Sequence, residues 1–168
     1  MLNIPTRGLR SRLLIFICCT CLPLPCLAEY SQPVDKRSYN LGIVGAFSEV
    51  VRLGVKKLAL SEVLPPDEMD LFYMDAKVVT DRNKVKLYIE TDLLISDLYP
   101  ADIASGMHVL LIFTGDTLEK YLALKAEKNK LIDSDNYTPA ARHDIAIRFG
   151  RLLSYPMPVI EELIQNQQ

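Results

Sequence analysis

Residues 106–116 read GMHVLLIFTGD, and this stretch decides the predicted fold. Met107–Phe113 contains only one polar side chain, and a glycine lies near each of its ends. Such an apolar run predicts a strand that is buried on both faces. Asp116 can cap a helix that begins at Thr117, with Glu119 as its capping-box partner. A buried strand that leads into a capped helix is typical of parallel α/β sheets.

Three helix–strand units make up the first part of the domain, and each has a Gly or Asn between its helix and its strand. The predicted helices are Tyr39–Leu53, Pro66–Arg82 and Pro100–Ser105, and the predicted strands are Lys57–Ser61, Val85–Glu90 and Met107–Phe113. This order predicts an α/β fold with a small three-stranded parallel sheet (βαβαβ) covered by helices. The last strand is expected at the centre of the sheet, and a helical C-terminal half is expected to follow it.

Two of these assignments have alternatives. The first helix could continue through Gly54 instead of ending there, and Lys77–Thr80 could be a strand that forms a hairpin with Val85–Glu90. We favour a strand after Gly54 because the same helix–strand order recurs twice. We favour a helix over the hairpin because Pro66 and the acidic pair after it are typical of a helix start.

The first 28 residues differ in kind from the rest of the chain. Three arginines precede the apolar run Leu13–Leu22, two prolines follow it, and small residues lie at Cys26 and Ala28. These features predict a secretory signal peptide that is cleaved after Ala28. A membrane anchor is disfavoured because the run is shorter than the roughly 20 residues that span a bilayer. We therefore expect an exported protein, periplasmic or secreted, with a signal peptide (1–28), an extended leader (29–38) and a single α/β domain (39–168).

The predicted cleavage changes the composition of the chain. All four cysteines lie in the removed segment, together with three of the 19 Lys and Arg residues and none of the 21 Asp and Glu residues. The mature chain would then have no thiol, no transmembrane span and a net charge of about minus five. The lack of thiols excludes cysteine catalysis and cysteine metal sites. The negative charge disfavours a nucleic-acid partner, because phosphates require a positive surface.

Polar residues follow each predicted strand. In an open parallel sheet these strand ends lie at one edge, which is where such sheets bind ligands. Glu90, Asp92, Asp97 and Thr114 are therefore expected to meet in one candidate site. The cluster could hold a divalent cation through oxygen ligands, or like-charge repulsion could raise one carboxyl pKa and make that group a general acid or base. The alternative is that these residues only cap turns and contact solvent.

Two basic residues of the C-terminal half, Lys125 and Arg142, fall near the inward faces of their predicted helices. One hypothesis is that they neutralise strand-end carboxylates. Lys125 and Arg142 would then belong to the same candidate ligand-binding site. We favour the alternative that their apolar stems cover the core while the charged ends reach solvent or form ordinary ion pairs. Asp144 and Arg148 have the i,i+4 spacing of such a pair.

No complete catalytic motif is present in the sequence. There is neither a Gly-rich phosphate loop nor a GxSxG nucleophile turn. His108 lies at the start of the central strand, away from the predicted site, and His143 has the polar neighbours of a surface residue. The string FGRLLSYP at residues 149–156 is distinctive, but it predicts no more than a tight helix end before Pro156.

These observations lead to two predicted functions. The first is an exported accessory or binding protein without enzymatic activity, which acts on an envelope protein or a small ligand. The second is a small metal-assisted hydrolase that uses the strand-end carboxylates Glu90 and Asp92. No cofactor is evident from the sequence, and a divalent cation is the one candidate.

Overall fold

The computed structural model describes residues 33–99 and 103–167. The predicted signal peptide and residues 29–32 of the predicted leader lie outside the described residues. The described part of the chain contains five helices and three strands. In chain order these are α1 (Lys36–Arg52), β1 (Leu58–Leu60), α2 (Pro66–Asn83), β2 (Lys86–Glu90), β3 (Val109–Phe113), α3 (Thr117–Asp133), α4 (Pro139–Leu152) and α5 (Met157–Gln165).

The first two helices begin and end at residues suited to helix termini. Helix α1 begins earlier than predicted, within the expected leader, because the Asp35 carboxylate accepts a hydrogen bond of 3.1 Å from the backbone N of Ser38. Helix α2 begins at Pro66 and is followed by Lys84 in the left-handed conformation, with φ 57°. It includes Lys77–Thr80, so the predicted helix is confirmed and the alternative hairpin is wrong.

The N-terminal ends of α3 and α4 are capped differently. The capping box at α3 is wrong, because the Asp116 carboxylate accepts a hydrogen bond from Lys120 Nζ at 2.9 Å and makes no capping bond to the helix. Helix α4 is capped by Thr138, whose hydroxyl accepts a hydrogen bond from the backbone N of Ala141. Of the predicted helix Pro100–Ser105, only residues 103–105 are described, and they form a turn.

The predicted parallel sheet is wrong. The strand order is β1-β3-β2, and β3 pairs antiparallel with both neighbours. Leu58 lies opposite Phe113 in one pair, and Glu90 lies opposite Val109 in the other. A parallel connection between neighbouring strands needs a long crossover, usually a helix on one face of the sheet. The connection between β2 and β3 shows no α-helix in its described part, so β3 returns in the opposite direction between β1 and β2.

Strand β3 is central and buried on both faces, as predicted. Side chains alternate between the faces of a strand, so its residues separate into two sets. Leu110 and Ile112 pack with residues of α1 and α2, including Val44 and Met69. Val109, Leu111 and Phe113 lie on the opposite face. They pack with residues of the C-terminal helices and of the β2–β3 connection, among them Leu93, Leu94, Leu98, Tyr121, Ile145 and Phe149. The sheet is therefore the middle layer of three.

Helices α4 and α5 approach each other closely at Gly150. A Cβ atom at this position would lie 2.7 Å from Ile160 Cδ1, so only glycine allows the observed contact. The contact is buried, since Gly150 and Ile160 are both shielded from solvent. This contact explains why a glycine occurs in the distinctive string at residues 149–156. In the described residues, no helix combines the length and apolar character that crossing a membrane requires.

Candidate functional site

The antiparallel direction of β3 divides the predicted strand-end site. Glu90 lies beside Val109, at the start of β3, whereas Thr114 follows Phe113 at the other end of that strand. Thr114 is exposed, and its carbonyl oxygen accepts a hydrogen bond from the Thr117 hydroxyl at the start of α3. The expectation that Thr114 joins the acidic residues in one cleft is therefore wrong. The other five candidates lie along the β2–β3 connection or on the helices that contact it.

Three of these residues form an ion-pair cluster between the end of β2 and α3. Lys125 Nζ lies 3.1 Å from Glu90 Oε1 and 3.1 Å from Asp92 Oδ2, and it also donates to the Asp92 carbonyl. Glu90 Oε1 accepts a further hydrogen bond of 2.9 Å from the backbone N of Asp92. The Glu90 side chain is 4% exposed and that of Asp92 is 82% exposed. The cluster therefore bridges the core and the surface.

The charges within this cluster compensate each other. Burial lowers the pKa of Lys125, but the hydrogen bonds and charges of Asp92 and Glu90 outweigh it, so the pKa lies above its ordinary value. Tyr121 lies below the cluster, where burial raises the pKa of its hydroxyl and the negative charge of Glu90 adds to the rise. The Tyr121 hydroxyl accepts a hydrogen bond of 3.0 Å from the backbone N of Leu94. The contacts of Lys125 with Asp92 and of Tyr121 with Leu94 hold residues 91–94 against α3.

The remaining candidates form a second ion pair further along the connection. Arg142 Nη2 of α4 lies 2.6 Å from Asp97 Oδ1, and the hydrogen bond with Asp97 raises the pKa of Arg142. Between the two pairs lies Lys128, whose Nζ stands 5.8 Å from the ring centroid of Tyr137. Lys125 and Arg142 thus pair with acidic residues of the connection, as one of the two hypotheses from the sequence predicted. The pairs attach the connection to α3 and α4, and they give each of the three candidate carboxylates a cationic partner.

No group of three or more His, Cys, Asp or Glu side chains in the described parts of the chain is placed to hold a metal ion. Glu90 Oε2 is buried and has no hydrogen-bond partner among the described residues. His108 was predicted at the end of the sheet away from the site, but it directly precedes Val109, the partner of Glu90, and so lies at the Glu90 end. His108 forms a single antiparallel bridge with Leu64, and His143 Nε2 lies 3.8 Å from Glu161 Oε1 at the surface.

A cavity that the sequence did not predict lies beside β1. Its volume is about 360 Å³, and it is lined by the end of β1, part of the β2–β3 connection and the turn between α4 and α5. Most of its wall is apolar, and the polar groups belong mainly to Lys56, Tyr99 and Tyr155, with Ser61 and Glu62 beside the end of β1. Ligand pockets in proteins have this character: an apolar wall with a few polar groups that orient the ligand.

Lys56 is the basic residue of the cavity wall. Its Nζ donates a hydrogen bond of 2.7 Å to the carbonyl of Leu153 at the end of α4, and it lies 4.6 Å from the ring centroid of Tyr155. Partial burial lowers the pKa of this ammonium group. No carboxylate in residues 33–99 or 103–167 lies within ion-pair distance of Lys56 Nζ. Lys56 is therefore a partly desolvated charge whose known partners are a carbonyl dipole and an aromatic ring.

Two tyrosines provide the other polar groups of the cavity. The hydroxyl oxygens of Tyr99 and Tyr155 lie 2.9 Å apart and share a hydrogen bond. Burial raises the pKa of Tyr99, and the hydrogen bond with Tyr155 raises it further, so this hydroxyl keeps its proton at neutral pH. The Tyr99 ring packs edge-on against Phe149, with centroids 6.2 Å apart. This packing fixes the position of the hydroxyl pair.

Comparison with protein-family models, curated proteins and solved structures finds no match for this chain. The function must therefore be argued from the cavity and the ion pairs themselves. One sequence signal for the cavity was present, because the string at residues 149–156 contains Leu153 and Tyr155. The rest of the wall comes from segments that lie far apart in the sequence, and no local pattern predicts their meeting.

Proposed function

We propose that the protein is an exported binding protein without enzymatic activity, which takes a small and largely apolar ligand in the cavity beside β1. The cavity itself supports this proposal. Its volume of about 360 Å³ lies in the range of small-molecule sites, and its few polar groups are grouped around Lys56. Apolar side chains such as Leu60, Val63 and Leu93 would gain by excluding water when such a ligand binds.

The proposal of export is supported by the sequence of the first 28 residues. The basic segment, the short apolar run Leu13–Leu22 and the small residues before the proposed cleavage after Ala28 are those of a signal peptide. An exported protein of this kind would be thiol-free and acidic. A protein without thiols does not depend on the redox state of its compartment, which suits a binding protein of the periplasm or the extracellular space.

The proposed metal-assisted hydrolase has less support. Such an enzyme would require Glu90 or Asp92 to act as a base or as a metal ligand. Both carboxylates instead contact Lys125, and Glu90 also accepts a backbone hydrogen bond. A ligand in place of Lys125 would have to break a largely buried ion pair. The cavity beside β1 needs no such rearrangement, and we therefore favour the binding protein with a small ligand.

Titration of the purified protein with the apolar fluorescent probe 1-N-phenylnaphthylamine tests this proposal. Val63→Trp places a large ring at the cavity wall, whereas Val159→Trp adds the same ring to an exposed position of α5. The chain has no natural Trp, so the fluorescence of each variant also reports the surroundings of the new ring. We expect Val63→Trp to weaken probe binding at least tenfold and Val159→Trp to leave it unchanged. A wild-type protein that binds no probe, or equal binding by both variants, would contradict the proposal.

A further inference from the structure

We infer that the ligand of this cavity is a carboxylic acid with an apolar body, and that Lys56 binds its carboxylate. This inference rests on the proposed function, because it assigns the chemistry of the ligand in the same cavity. The geometry points to it through three observations. These are the uncompensated charge of Lys56, an unused hydroxyl proton in the Tyr99–Tyr155 pair and the apolar remainder of the wall.

The first observation concerns the hydrogen-bonding capacity of Lys56. An ammonium group has three N–H donors, and the described residues supply one acceptor, the Leu153 carbonyl at 2.7 Å. Two donors remain for a ligand. The charge is partly removed from water, which lowers the pKa of Lys56. A carboxylate in the cavity would supply both the missing acceptors and the opposite charge, and charge-assisted hydrogen bonds of this kind are stronger than neutral ones.

The second observation concerns the tyrosine hydroxyls. The pair contains two O–H protons, and the hydrogen bond between Tyr99 and Tyr155 uses one of them. The other proton has no acceptor among the described residues and can be donated to a ligand oxygen. Lys56 Nζ stands above the ring of the same Tyr155, at 4.6 Å from its centroid, so the ammonium group and the hydroxyl pair line the same part of the cavity. A carboxylate has two oxygens and can accept from both.

The third observation distinguishes a carboxylate from a more highly charged group. Lys56 is the only Lys or Arg, and Glu62 the only Asp or Glu, among the described residues that line the cavity. A phosphate ester with nearly two negative charges would have about one of them left uncompensated by this single ammonium group. A monoanion matches the single ammonium group. The apolar side chains that line the rest of the cavity then determine that the body of the ligand is a short hydrocarbon chain or a ring.

Lys56 also has a structural role, since it caps the end of α4 and stacks on Tyr155. A purely structural role predicts a loss of stability on mutation but no preference between ligands. The test therefore compares compounds that differ only in the head group. Octanoate, 1-octanol and octyl phosphate are each used to displace 1-N-phenylnaphthylamine from the wild-type protein at pH 7. The variants are Lys56→Met, Lys56→Arg and the control Lys57→Met, which alters an exposed neighbour outside the cavity wall.

We expect wild-type protein and Lys57→Met to bind octanoate roughly 10- to 100-fold more tightly than 1-octanol, as charge-assisted hydrogen bonds predict. Lys56→Met should remove this preference and retain 1-octanol binding, and Lys56→Arg should keep part of the preference. Equal binding of octanoate and 1-octanol by the wild type would overturn the inference while the proposed function stands. Tighter binding of octyl phosphate than of octanoate would also overturn it. Failure of every compound and of the probe to bind would overturn the proposed function as well. The wild-type comparison needs no variant, so it decides the inference even if Lys56→Met does not fold.

Discussion

The ion pair between Lys125 and Glu90 offers a test of the fold that does not depend on any ligand. Replacing Lys125 by Met keeps most of the apolar stem and removes the charge. Glu90, which is 3% exposed, then retains the backbone N of Asp92 as its hydrogen-bond partner. Removing one partner of a fully buried pair costs about 3–5 kcal/mol. The Lys125 side chain is 18% exposed, so water can replace part of the lost contact, and we expect roughly 2–3 kcal/mol.

This loss should be visible in both chemical and thermal unfolding. For a domain of this size, each kcal/mol lowers the melting temperature by roughly 3–5 °C, so Lys125→Met should melt about 6–15 °C below the wild type. Urea unfolding followed by circular dichroism gives the free energy of unfolding for the comparison. Glu90→Gln alone should cost less, because Lys125 keeps Asp92 as a partner. The double variant should be more stable than the sum of the two single losses predicts, by at least about 1 kcal/mol.

A second ion pair on the same helix serves as the control. Lys120 Nζ lies 2.9 Å from Asp116 Oδ1, and both side chains are more than half exposed. Lys120→Met should therefore cost no more than about 0.5 kcal/mol. The reasoning is refuted if Lys125→Met costs less than about 1 kcal/mol, or if the losses from Lys125→Met and Glu90→Gln simply add. Either result would mean that the pair does not hold the β2–β3 connection to α3.

Two further predictions concern the C-terminal helices. Gly150→Ala places a methyl group 2.7 Å from both Ile160 Cδ1 and Ile160 Cγ1, so it should lower the free energy of unfolding by about 1–3 kcal/mol in urea unfolding. Ile160→Ala removes both atoms, so the double variant should lose less stability than the sum of the two single losses. Glu127→Gln removes a carboxylate whose pKa lies below its ordinary 4.5 because of the hydrogen bond with Arg148. A lowered pKa in the folded state adds stability above about pH 4.5 that disappears as the pH falls through the lowered value. The Gln variant should thus be roughly 0.5–1 kcal/mol less stable than the wild type at pH 7. It should also lose less stability than the wild type between about pH 5 and pH 3. The midpoints of urea unfolding at each pH measure both differences. Equal acid sensitivity of both proteins would contradict this assignment.

The sequence predicted the secondary structure better than the topology. The α1, α2 and β3 segments follow from apolar periodicity, from Pro66 and from a run of buried residues. Periodicity reports which faces are buried, and it contains no information on strand direction. A central strand is buried on both faces whether its neighbours are parallel or antiparallel. The prediction of a parallel sheet depended on a crossover helix before β3, and the connection there packs Leu93, Leu94 and Leu98 into the core without an α-helix in its described part.

The candidate site was predicted in part, and for a reason that can be stated. Helical spacing placed Lys125 and Arg142 near inward faces. Lys125 is largely buried beside Glu90, whereas Arg142 is exposed and pairs with Asp97 at the surface of its helix. Thr114 was placed with them only through the assumed strand direction, and it lies at the other end of β3. The cavity depends on contacts between segments up to 97 residues apart, such as that between Lys56 and Leu153. Such contacts follow from the topology and are absent from any local pattern.

The reversed direction of β3 explains why the ion pairs and the cavity belong to one arrangement. An antiparallel β3 begins beside the end of β2, so the connection between them starts and ends at the same edge of the sheet. Its first part is attached to α3 and α4 through Lys125 and Arg142, and the same segment then supplies Leu93 and Tyr99 to the cavity wall. A buried wall of irregular backbone keeps its shape only where its polar groups have partners. The carboxylates that the sequence suggested as a reactive centre thus have a structural role, because they hold in place the segment that forms one side of the cavity.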